Sequence, residues 1–89
     1  MPYDVYILRC ADGTFYTGMA ADAGRRVAVH NSGKGAKYTR SRLPVTLVYR
    51  EEQPDRSSAL RREYAVKQMT RAQKLCLIRE AEGGPPAEV

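Results

Sequence analysis

Two runs of β-forming residues flank a short turn near the start of the chain, and this pairing constrains the fold more than any other feature. The first run, Tyr3–Cys10, reads YDVYILRC; the second, Thr14–Met19, reads TFYTGM. Between them lies Ala11-Asp12-Gly13. Asp-Gly between two β-rich runs is a strong hairpin signal, because glycine takes positive φ at no steric cost. Two antiparallel strands therefore open the fold.

The rest of the chain can be divided by its start and stop signals. Asp22 can cap a helix running to about Asn31, with Gly33 as the residue that ends it. Ser32 to Arg42 (SGKGAKYTRSR) carries neither helical nor strand period and reads as an ordered or partly mobile basic loop. Pro44 introduces VTLVY, a third strand. Asp55 or Ser57 can cap a helix reaching about Met69, and Thr70-Arg71-Ala72-Gln73 has the capping-box pattern that opens a last helix through about Glu80. The order β-β-α-β-α-α predicts an α+β domain over residues 1–82, with helices packed on a small, mostly antiparallel three-stranded sheet. Gly83-Gly84-Pro85-Pro86 ends regular structure, and residues 83–89 are expected to form a disordered tail.

With 89 residues there is room for one domain near the lower limit for a core without disulfides or structural metal. Cys10 and Cys76 stand in no metal-ligand or C-x-x-C spacing, so both are read as reduced core residues. No secretory h-region and no apolar run of spanning length is found, so a soluble cytoplasmic protein with no membrane contact is expected. Fifteen Lys and Arg against ten Asp and Glu give a net charge of +5. From Arg25 to Arg50 the chain holds Arg25, Arg26, Lys34, Lys37, Arg40, Arg42 and Arg50 with no acidic residue among them. That segment reads as a phosphate-facing surface.

Helix periodicity places charge where apolar side chains belong. At about 100° per residue, with Glu63 at zero, Ala59, Leu60 and Val66 all fall within about 60° of it. A carboxylate there needs a partner. An ion pair with Lys67 one turn on is the reading that spacing alone favours; a bound cation is the alternative. On the first helix, Arg26 and His30 share a face with Ala23, Val27 and Val29. A buried histidine on such a face is ordinarily structural, but an arginine one turn away suits a phosphate, because its fork matches phosphate oxygens. Tyr6 and Tyr16 flank the turn and are able to face each other across the strands, which is ordinarily a packing pair. The Gly-Lys at Gly33-Lys34 is not a nucleotide-triphosphate loop: the earlier glycine of that motif would fall at Ala28, and Lys34 is followed by glycine.

Taken together, Val5-Tyr6-Ile7 and Tyr16-Thr17-Gly18 resemble the paired signature of the GIY-YIG nuclease family, with nine residues between the tyrosines. Arg26, ten residues past Tyr16, and His30, four further on, match positions that the family carries, and Glu63 is the candidate for its metal-binding glutamate. HNSGKGAKYTR and LRREYAVK are similar to the small stand-alone bacterial branch, and the resemblance spans roughly residues 3 to 78. Three departures stand out. Asp4 replaces the family's first glycine, Thr17 replaces its isoleucine, and Lys74 and Leu75 stand where many members place an asparagine.

The resemblance implies a metal-dependent endonuclease acting on DNA, structured or single-stranded DNA included, with RNA as the alternative polymer, as a monomer or weak homodimer. Glu63 would hold one Mg²⁺ or Mn²⁺, since a lone carboxylate leaves most coordination positions to water and phosphate. Arg26 would hold the phosphate oxygens, one tyrosine, preferably Tyr16, would serve as general base, and His30 would relay protons. Lys34, Lys37 and Arg40 would grip flanking phosphates, with Tyr38 stacked on an unpaired base. The rival expectation is a nuclease-like fold that binds nucleic acid without cutting it.

Overall fold

The computed structural model describes residues 1–82, so the expected tail at 83–89 lies outside the described residues. The chain runs β1 (Tyr3–Arg9), β2 (Phe15–Ala20), α1 (Ala23–Val29), a π-helical turn (His30–Lys34), α2 (Lys37–Arg40), β3 (Thr46–Gln53), α3 (Arg56–Lys67) and α4 (Arg71–Ala81). The three strands form one sheet in the order β2-β1-β3, and both pairings are antiparallel. The hairpin turns on Gly13 at φ +85°, the left-handed conformation that its glycine signalled.

β1, the central strand, is buried on both faces, and its alternation sorts the core into two layers. Val5 and Ile7 point to one side, where they pack with Tyr49 of β3, Ala59 and Val66 of α3, and Ile78 of α4. Tyr6, Leu8 and Cys10 point to the other, against Ala23 and Val27 of α1 and Val45 and Leu47. A β-bulge between the pairs Ile7–Tyr49 and Leu8–Leu47 inserts Val48 as the extra residue of β3. Val48 and Tyr49 consequently serve the same layer. The sheet is thus a partition: α1 covers one face, α3 and α4 the other.

The helix starts follow the cap residues. Asp22 accepts from the Arg25 N–H at 3.1 Å, Asp55 from the Ser58 N–H at 2.7 Å, and Thr70 and Gln73 complete a reciprocal capping box. Of the two candidates for α3, Asp55 is therefore the cap.

Three expectations need correction. Ser32–Arg42 is not irregular: α1 runs on into the π-helical turn, Gly33 ends it at φ +84°, and Lys37–Arg40 form a further short helix. The order comes from tertiary bonds that no local period reveals. Asn31 Nδ2 donates to the Val45 carbonyl at 3.0 Å while its Oδ1 accepts from the Val45 N–H at 2.7 Å, clamping the turn to the start of β3. Leu60 is 51% exposed, because the buried face of α3 centres on Ala59 and Val66, about 50° from Glu63, and leaves Leu60 on the solvent side. Cys76 is exposed as well, since α4 turns Ile78 rather than Cys76 to the sheet; Cys10 is buried as expected.

Candidate functional site

Tyr6 and Tyr16 lie on the same face of the hairpin but are not directly opposite. Tyr6 pairs with Gly18, and Tyr16 with Leu8, so the two rings are diagonal neighbours. Gly18 makes this possible. A Cβ there would stand 2.6 Å from the Tyr6 Oη and 3.2 Å from the Tyr16 Cε2. The tyrosine rings occupy the volume that any other residue would fill.

His30 closes over this pair from the end of α1. Fully buried, it sits 5.3 Å from the Tyr16 ring, edge to face, and its Nε2 lies 3.2 Å from the Tyr6 Oη. Its Nδ1 lies 2.9 Å from the Thr39 Oγ1. The Thr39 hydroxyl donates its proton to the Ala36 carbonyl, also at 2.9 Å. It is left as an acceptor toward His30, so Nδ1 carries the ring proton and Nε2 accepts from Tyr6. Burial, and then the charge of Arg26, hold the His30 pKa below its usual value, which keeps the ring neutral. His30 thus lies on an inward face of its helix, as its position on the helix wheel suggests, and its neighbours there are the two tyrosines.

Arg26 and Glu63, on opposite layers, are both near enough to act on the two tyrosine hydroxyls. Each stands at the rim of its helix's buried face rather than at its centre, half-buried in both cases. Because β2 is the edge strand, a side chain of α3 can act on the tyrosines without passing through the sheet. Burial raises the pKa of Tyr6, Tyr16 raises it further, and Arg26 and Glu63 act on it in opposite senses. Tyr16 is likewise raised by burial first and by Glu63 second, with Arg26 pulling it down. Both hydroxyls are therefore protonated at neutral pH, under the combined field of one cation and one carboxylate. Glu63 also meets Lys67, at 3.7 Å. The ion pair favoured by spacing alone and the neighbourhood of the tyrosines are realised together.

The basic residues divide. Lys34 and Lys37 are exposed, and Arg40 is exposed with its Nε 3.4 Å from the Gly35 carbonyl. Tyr38 stacks on Tyr16 at 6.0 Å and carries the Arg42 guanidinium 3.9 Å above its ring. A base stacking there has to compete with these neighbours. Arg42 and Arg50, counted in the basic segment, are paired with Asp12 and Asp4. Two shallow grooves meet at Lys67. One, of about 250 Å³, is lined by Phe15, Tyr16, Thr17, Tyr38, Lys67 and Lys74. The other, of about 440 Å³, is lined by Leu60, Arg61, Glu63, Tyr64 and Lys67.

Three further residues support the site in roles that the sequence alone does not reveal. Thr39 fixes the histidine tautomer. Gly35 allows the chain to pass over His30, where a Cβ would come within 2.8 Å of its Cα. Asp4, buried, accepts from the Ala23 N–H at 2.9 Å and from Arg50 Nε at 2.9 Å, tying the first turn of α1 to the sheet. That tie gives the departure at Asp4 a structural reason. As for a metal, no group of three or more His, Cys, Asp or Glu gathers among the described residues. Glu63 offers a single carboxylate whose nearest cation, Lys67, stands at a loose ion-pair distance. Such a donor set fits Mg²⁺, which keeps several waters and binds through one or two carboxylates plus substrate phosphate, and does not fit a fully enclosed metal site.

The GIY-YIG catalytic domain matches residues 2–75 of this chain. Among curated proteins, the UPF0213 protein of Halobacterium salinarum is 56% identical over 76 residues, covering 85% of this chain and 99% of that protein. A UPF0213 protein of Staphylococcus epidermidis is 57% identical over 76 residues, covering 85% and 93%. The solution NMR structure of a UPF0213 protein from Bacillus halodurans has a TM-score of 0.59 at 48% identity, covering 96% of this chain and 89% of that one. That of a protein from E. faecalis has a TM-score of 0.62 at 37% identity, covering 98% and 93%. With the signature tyrosines, the sheet order and the matched span in agreement, this chain belongs to the GIY-YIG family, alongside the small single-domain UPF0213 proteins.

Proposed function

We propose that this protein is a metal-dependent endonuclease that hydrolyses phosphodiester bonds in DNA. The observation that carries the reading is the hydrogen bond from Tyr6 to a neutral, tautomer-fixed His30, at the point where Arg26 and Glu63 both act on the tyrosine hydroxyls. Hydrolysis requires a water to attack phosphorus, a base for its proton, and a cation for the charge that develops on the phosphoryl oxygens.

The Tyr6 hydroxyl is raised in pKa and is not a phenolate, so it serves best as a relay. It takes the proton of the attacking water while passing its own to His30 Nε2. This assigns to Tyr6 the general-base role that the resemblance alone gave by preference to Tyr16, and leaves Tyr16 to orient the water. Arg26 donates to the non-bridging oxygens as the bond to the leaving oxygen breaks, and that oxygen takes a proton from solvent. Lys34, Lys37 and Arg40 hold flanking phosphates. A divalent cation, Mg²⁺ or Mn²⁺, held by Glu63 together with substrate would supply charge neutralisation at the phosphoryl and leaving oxygens. Binding it requires Glu63 to part from Lys67.

The test is nicking of plasmid and single-stranded DNA in Mg²⁺ by wild type, Glu63→Gln, Arg26→Ala and Tyr6→Phe. Loss of product in all three variants, with folding intact, supports the assignment; equal cleavage by all four proteins removes it. The Glu63–Lys67 ion pair favours a second reading, a nuclease-like module that binds nucleic acid without cutting. In that case no metal-dependent product forms, and Glu63→Gln leaves affinity unchanged.

A further inference from the structure

The groove beside Tyr16 holds two lysines that the proposed chemistry does not use in cleavage. Lys67, from the last turn of α3, and Lys74, from α4, line it together with Phe15, Tyr16 and Tyr38. Two ammonium groups at one groove repel each other unless an anion lies between them. Among the described residues no carboxylate lines this groove, and Glu63, the acidic partner of Lys67, is on the neighbouring groove.

A second observation points the same way. Thr17, 3% exposed, lines the groove, and its Oγ1 is a buried hydroxyl with no hydrogen-bond partner among the described residues. Buried hydroxyls are ordinarily paired, and leaving one unpaired is costly, so its presence calls for a partner from outside. A phosphate oxygen in the groove meets that need when the Thr17 side chain rotates its hydroxyl outward, and there it faces both lysines. Burial, reinforced by Lys67, also holds Lys74 below the usual lysine range, a penalty that a bound anion would relieve.

We propose that this groove is a nucleotide subsite for single-stranded nucleic acid, with a phosphate held by Lys67, Lys74 and the Thr17 hydroxyl and the adjoining base packed on the Phe15 side of the aromatic wall, since Tyr16 and Tyr38 already stack on each other and Arg42 covers Tyr38. The inference rests on the reading of the neighbouring site as a nucleic-acid site, and it names the form of polymer that site receives. A base in a duplex has its faces covered by its neighbours and cannot reach an aromatic wall, whereas an unpaired base can. At about 250 Å³ the groove lies just below the range typical of drug-sized ligand pockets, a size suited to one nucleotide rather than a duplex backbone.

The experiment measures binding without metal ions, so that cleavage plays no part. Wild type, Lys74→Met, Lys74→Arg and Thr17→Val are titrated with a single-stranded oligonucleotide of about 12 nucleotides, its abasic counterpart and the matching duplex. Lys74→Met should make the slope of log affinity against log salt shallower by about 0.7, and Lys74→Arg should restore it. Thr17→Val should weaken binding while raising the melting temperature, because it removes an unpaired buried hydroxyl. The abasic strand should bind wild type roughly 5- to 100-fold more weakly than the intact strand. Binding by wild type with the same affinity and slope in Lys74→Met overturns the subsite and leaves the nuclease reading standing. Equal affinity for the abasic strand, or tighter binding of the duplex with the same sensitivity to Lys74, overturns its assignment to an unpaired nucleotide. Absence of binding to any of the three overturns both readings.

Discussion

The Nδ1 of His30 lies 2.9 Å from the Thr39 Oγ1, whose own proton is committed to the Ala36 carbonyl, and this one contact decides which nitrogen of the buried ring faces Tyr6 as an acceptor. The residue that sets the chemistry of the histidine thus belongs to α2, within a segment that looks structureless in sequence.

Thr39→Val tests that relationship. Valine keeps the shape but removes the acceptor, leaving a buried Nδ1–H unpaired at a cost of about 1–3 kcal/mol. The ring is then free to exchange tautomers, and nuclease turnover is expected to fall by about 10²-fold or more if the relay contributes what general acid–base groups usually do. Thr39→Ser should recover both stability and turnover. Turnover equal to wild type in Thr39→Val, with His30 still buried, argues against the relay.

The two tight glycines should fail in different ways. Gly18→Ala places a methyl 2.6 Å from the Tyr6 Oη, the far end of a side chain that can swing aside. The expected result is a folded protein, destabilised by about 1–3 kcal/mol, with Tyr6 displaced from His30 and cleavage lost. Gly35→Ala meets the His30 ring at Nδ1 and the His30 backbone at 2.8 Å, where less relief is available, so it disturbs the histidine itself as well as the fold. Its unfolding midpoint should fall further. Measuring both midpoints alongside activity separates the two; a Gly18→Ala protein with full activity would mean that the Tyr6 position is not critical.

Asp4 provides a third test, of position rather than chemistry. Asp4→Ala leaves the Ala23 N–H unpaired in the core, at about 1–3 kcal/mol, and frees the first turn of the helix that carries Arg26 and His30. Asp4→Asn retains an acceptor for that N–H. Asparagine is therefore expected to preserve most of the stability and alanine to lose it, as read by denaturant midpoints. Equal loss in both would assign the effect to the Arg50 ion pair instead.

How much of this was legible in the sequence depends on how local each signal is. The hairpin, the Asp22 and Asp55 caps and the Thr70 capping box are set by neighbouring residues, and each is found where its residues place it. Arg26 and Glu63 were visible as charges out of place on their helices, although the wheel centred the buried faces on them rather than at their rims. Long-range order was not legible. α2 exists because Thr39 reaches His30, and the π-helical turn because Asn31 clamps Val45, contacts spanning 9 and 14 residues. Lys67 shows the limit of a wheel: it correctly offers Glu63 an ion-pair partner, but cannot reveal that the same lysine also borders Lys74 from another helix.

Acid should unfold the protein in two stages, for two separable reasons. His30 has a folded pKa lowered by burial and by Arg26, so the unfolded chain takes up a proton first, near the ordinary histidine value of 6.5. The stability that His30 contributes as a neutral group is complete above that pH and declines as pH falls toward the depressed folded value. Glu51 acts lower on the scale. Burial alone would raise its pKa, but hydrogen bonds from Tyr49, Gln53 and Arg62 outweigh burial and hold it below the ordinary 4.5. Its contribution is complete above 4.5 and disappears as pH falls through the depressed folded value. Denaturant midpoints recorded against pH should therefore begin to fall below about 6.5 and fall again below about 4.5. In Glu51→Gln the second decline should flatten while the first remains. A single decline confined to the carboxylate range in wild type would mean that His30 ionises in the folded protein as it does in the unfolded chain, and the neutral acceptor on which the Tyr6 relay depends would then be lost below about pH 6.5.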